Sequence, residues 1–150
     1  MPGAHPRFIH LRTHTEHSLL EGAVPVKRLV DLCVKAQMPA VAVTDTNNMF
    51  AALEFSVTAA GAGVQPIVGC QIAIAHDPAQ PGERPRLPAP IVLLAQTEAG
   101  YMNLMRLNTH LYIDGAINSS TNLPQVTLDE LQQHSDGLIC LTGGPDGPLG

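Results

Sequence analysis

Tryptophan is absent from the 150-residue chain, and aromatic residues make up only 3% of it. That leaves little material for a platform on which nucleic-acid bases could stack. A basic excess is missing too. The formal net charge is −5 with histidines neutral, whereas a surface that grips a phosphate backbone usually carries more lysine and arginine than acid. The chain is therefore not expected to form the main groove of a nucleic-acid-binding protein. No apolar run reaches the roughly 18–20 residues of a membrane-spanning helix. The opening "MPGAHPRF" lacks the basic region and apolar core of a secretory signal. A cytoplasmic location with no membrane partner is the expectation. Cys33, Cys70 and Cys140 are odd in number, far apart and never in a CxxC pair, which favours buried free thiols over disulfides or a zinc knuckle.

What is present can build a core. Apolar residues make up 45% and charged residues 14%, a balance that rules out a disordered tail. "RFIHLRT" alternates, with Ile9 and Leu11 on one side and His10, Arg12 and His14 on the other, and reads as a strand. In "VPVKRLVDLCVKAQ", Val26, Leu29, Val30, Cys33 and Val34 recur at helical spacing, with Pro25 tolerated in the first turn. "AVAVT" (40–44) is a short apolar strand of the kind buried on both faces of a parallel sheet. A helix over 49–62 follows, with Gly61 and Gly63 as C-terminal caps.

"PIVGCQIAIA" is the third strand. "HDPAQPGERPRLPAP" carries five prolines in fifteen residues and reads as a surface loop. "IVLLAQ" is a fourth strand. A helix capped by Thr97 follows it, and a polar stretch runs from about Asp114 to Asn122. "TLDELQQHS" is a short helix with a Thr127–Glu130 capping box, and "GLICLTGG" a fifth strand. Repeated strand–helix units predict an α/β fold with a parallel-rich sheet and peripheral helices. Ending on a strand with no helix to cover it, the chain is expected to be a fragment of a longer protein, marginal when isolated.

In such folds functional groups gather at the C-terminal ends of the strands. His10, Arg12 and His14 fall there after strand one, followed by Glu16, His17 and Glu21; Asp45, Thr46, Asn47 and Asn48 follow strand two, and Gln71 lies in strand three. One histidine so placed is more often structural than a ligand. Convergence of several on one rim points to an active site or its descendant.

Three segments, "HLRTHTEHSLLEGA", "AVAVTDTNNMFAALEF" and "GVQPIVGCQIAIA", resemble in order and spacing the motifs of the polymerase and histidinol phosphatase (PHP) domain. The form they resemble stands at the N-terminus of bacterial DNA polymerase III alpha subunits. "LTGGPDGPLG" fits the same family. The resemblance covers nearly the whole chain and implies a partial distorted β/α barrel, about the first half of a domain that holds a trinuclear metal cluster when intact. Metal-binding members resemble "HLHxHTEYSLLDG", "TDHGNMFG" and "GCE" at these places.

Carried over position by position, that ligand set is mostly broken. Arg12 stands for the second histidine, His14 is retained, Glu21 replaces the usual aspartate, Thr46 replaces a histidine and Gln71 a glutamate. A metal cluster wants imidazole and carboxylate around it. Arg12 brings a cation that neither deprotonates nor donates a lone pair. At an effective dielectric of about 20, a unit positive charge 4 Å away costs about 4 kcal/mol, and about twice that beside a dication. These five positions are expected to be vestigial, with no metal, no catalytic residue and no cofactor in this segment. The Arg12 guanidinium is expected to fork onto Glu21 or Asp45 in the metal's place.

By the same resemblance, the complete protein is expected to be a bacterial replicative polymerase using Mg2+ at a distant site. Its implied partners are DNA, a proofreading exonuclease subunit recruited through the degenerate PHP module, the sliding clamp and other replicase subunits. The alternative is a metal-dependent phosphoesterase of the histidinol-phosphatase kind, which would need the ligands that are missing.

Overall fold

The computed structural model describes residues 8–75, 87–115 and 123–149. The chain divides into two compact units, Met1–Cys70 and Gln71–Gly150. The proline-rich loop over 76–86, most of the polar stretch before residue 123, and the N-terminal residues with His5 lie outside the described residues, as does His76.

In the first unit, helix α1 (Val26–Lys35) buries Val26, Leu29, Val30 and Cys33. These are four of the five positions marked by the helical period. Val34 instead stays 47% exposed. Pro25 sits at the N-cap with extended backbone, so its missing donor costs nothing. Strand β1 (Ala40–Val43) is buried at every position and pairs in parallel with β2 (Gln65–Ile74), from Ala40 opposite Gln65 to Val43 opposite Val68. Helix α2 (Ala52–Gly61) inserts Phe55 and Ala59 beside α1, closing a core with Val41, Val43 and Val64. Complete burial of Phe55 contributes about 1.5–3 kcal/mol. Gly63, at φ +76°, reverses the chain just after α2, the capping role expected of it.

The segment read as strand one is not a regular strand. It runs beside β1, and the Ala42 and Thr44 amides donate to the His10 and Thr13 carbonyls at 2.8 Å each. A step of two residues, from Ala42 to Thr44, therefore matches a step of three, from His10 to Thr13, the offset of a β-bulge.

In the second unit, β3 (Ala89–Ala95) and β4 (Leu138–Leu141) pair antiparallel, from Val92 opposite Leu141 to Ala95 opposite Leu138. The observed pairing is thus mixed: parallel in the first unit, antiparallel in the second. A connection that contains two helices can return the chain in either direction, so periodicity alone did not specify the sense of β4. Helix α3 (Glu98–His110), capped by Thr97 accepting from the Gly100 amide, buries Leu104 and Leu107 and ends in a single π turn over Leu111–Gly115. Gly100 packs directly on Gly137: a Cβ at Gly100 would fall 1.9 Å from the Gly137 carbonyl oxygen. The short helix α4 (Leu128–Gln133) carries the complete Thr127–Glu130 capping box.

One side-chain expectation changes: Cys140 is exposed, while Cys33 and Cys70 are buried. His110 and His134 are half-buried and stacked with ring centroids 5.5 Å apart; His110 Nδ1 lies 3.8 Å from a Glu130 oxygen. No helix among the described residues is long and apolar enough to cross a membrane.

Candidate functional site

The polar residues of the first two motifs meet where the loop over 15–22 crosses the C-terminal end of β1. Asp45 is the centre of that crossing. It is 1% exposed. Its Oδ1 accepts from the Thr15 amide and the Ser18 hydroxyl at 2.6 Å each, and its Oδ2 accepts from the Thr15 hydroxyl at 2.7 Å. Ser18 Oγ in turn accepts from the Thr46 amide at 3.1 Å, and Thr15 Oγ1 from the His17 amide at 3.2 Å. A carboxylate leaves water only where its lone pairs are satisfied, and three donors at these lengths do that here.

The surrounding residues complete the clasp. Thr44 Oγ1 accepts from the Thr13 amide at 3.0 Å. Asn48 donates to the His17 and Thr46 carbonyls, 3.0 Å each. The buried Cys70 thiol donates to the Asp45 carbonyl at 3.3 Å and the Asn48 carbonyl at 3.4 Å. Gly22 closes the loop tightly, since a Cβ there would lie 2.2 Å from the Thr15 carbonyl oxygen.

Above this clasp lies an open cavity of about 500 Å3 lined by His10, Arg12, Thr13, His14, Glu21 and Leu29. Glu21 Oε2 accepts the Thr46 hydroxyl at 2.5 Å and lies 3.1 Å from His14 Nδ1. His14 Nε2 is buried and has no hydrogen-bond partner among the described residues. His14, Glu21 and Thr46 thus form one hydrogen-bonded row. Arg12 lines the same cavity but is exposed and pairs with neither Glu21 nor Asp45 among the described residues. The expected Arg12 fork is therefore corrected. Asp45 is taken up by Thr15 and Ser18, and Glu21 Oε2 by Thr46 and His14. Gln71 is buried in β2 and belongs to the second unit.

Two imidazoles, His10 and His14, and one carboxylate, Glu21, line the cavity together with the Thr13 hydroxyl and the Arg12 guanidinium. No three His, Cys, Asp or Glu side chains among the described residues group to hold a metal ion. Sequence reasoning missed Thr15, Ser18 and Thr44, the donors and acceptor that make the clasp. An aspartate directly after a buried strand needs partners, and the Thr and Ser of the first motif were the nearby candidates.

The PHP domain profile matches residues 10–150. This chain belongs to the PHP domain family. Over 142 residues it is 43% identical to the DNA polymerase III subunit alpha of Caulobacter vibrioides, which covers 95% of this chain. It is 39% identical over 144 residues, again 95% of the chain, to the subunit of that name from Pseudomonas fluorescens. The chain spans 12% of the length of each of these relatives. Among solved structures, an amidohydrolase from Chromobacterium violaceum superposes with a TM-score of 0.54 at 19% identity, over 73% of this chain and 34% of that one. The PHP segment therefore has the expected fold, part of an α/β barrel of the PHP and amidohydrolase kind, with a mixed sheet and helices.

Proposed function

We propose that this PHP segment is the N-terminal part of a bacterial replicative polymerase alpha subunit, and that its old metal site now serves as a structural clasp without metal or catalysis. The observation that carries the reading is how the carboxylates are used. Asp45 is spent on Thr15 and Ser18, and Glu21 on Thr46 and His14. A trinuclear cluster would have to recruit both from existing partners while tolerating Arg12. Template-directed synthesis, with Mg2+ at the polymerase site, then belongs to the rest of the complete protein, together with DNA, the clamp and the other replicase subunits. The cytoplasm is the matching location.

Loss of ligands at Arg12, Thr46 and Gln71 removes intrinsic metal-dependent proofreading. The module's remaining role is to hold a separate exonuclease subunit. The full-length protein tests this in two assays. It should show no phosphodiesterase activity attributable to the PHP segment with added Mn2+ or Zn2+, and it should co-elute with the exonuclease subunit on gel filtration. Activity abolished by His14→Ala would favour the phosphoesterase reading instead.

A further inference from the structure

We draw no further inference here: the strongest candidate, the open cavity of the first unit lined by His10, Arg12, His14 and Glu21, belongs to the site already described, and nothing in the structure shows what covers the apolar cavity of the second unit between Ile74, Ile91, Leu131 and Leu149.

Discussion

Replacing Asp45 tests the clasp most severely, because it removes one side chain on which two motifs converge. Each hydrogen bond to a charged acceptor is worth about 1.5–3 kcal/mol. Three of them must offset the several kcal/mol that desolvating a carboxylate costs, so the intact arrangement adds little net stability. Removing the acceptor is another matter. Asp45→Ala strands the Thr15 amide, while the Ser18 and Thr15 hydroxyls must turn to other partners; the loss should be about 3–5 kcal/mol. Asp45→Asn keeps the shape and lets Oδ1 accept as before, and should lose about 1–2 kcal/mol. Arg12→Gln should change stability by no more than about 0.5 kcal/mol, since Arg12 pairs with neither carboxylate.

Native-state hydrogen exchange on the full-length protein reads these effects locally, without requiring the whole molecule to unfold in one step. Protection of the amides between Thr13 and Gly22 should fall by roughly two orders of magnitude or more in Asp45→Ala, as about 1.4 kcal/mol is tenfold. Wild-type protection in Asp45→Ala would refute the clasp. An Arg12→Gln variant as damaged as Asp45→Ala would restore the rejected salt bridge.

Gly22→Ala should lose about 1–3 kcal/mol by overpacking, because its Cβ would strike the Thr15 carbonyl; thermal denaturation against wild type checks this. A thiol reagent should modify the exposed Cys140 of this chain quickly and the buried Cys33 only on unfolding, and mass spectrometry of timed samples would show the order. Burial pushes the Cys33 thiol above its ordinary value of 9.0. The folded state thus keeps a proton that the unfolded chain releases, and the Cys33 contribution to stability should be lost as pH rises beyond 9.0. Denaturation of Cys33→Ala should show a weaker decline over that range than wild type. In the second unit, Thr127→Ala should cost about 1 kcal/mol through loss of the capping box, seen as faster exchange at Glu130 and Leu131.

Helices and buried strands were legible because their signals are local. The spacing of Val26, Leu29, Val30 and Cys33, the Thr97 cap and the Thr127–Glu130 box each act within a turn or two of chain. The family was legible because its motifs fix residue types in order along the chain, and the PHP profile matches residues 10–150. The site's geometry was not legible in the same way. The irregular course between His10 and Thr13 depends on bonds to Ala42 and Thr44, some thirty residues away, which a local pattern does not record. The same limit hid the role of Asp45. Its partners Thr15 and Ser18 come from the preceding motif, and only the folded chain shows that they reach it before Arg12 does. The antiparallel sense of β4 likewise depends on the path of the connection between β3 and β4, which periodicity does not encode.

Elemental analysis of the full-length protein, purified without chelator and dialysed against metal-free buffer, tests the central claim most directly. Zinc, manganese and iron should all be well below stoichiometric, and Asp45→Ala and His14→Ala should leave that content unchanged. Near-stoichiometric metal that disappears in His14→Ala would show that the site still binds a cation and that the clasp is not what this rim is for.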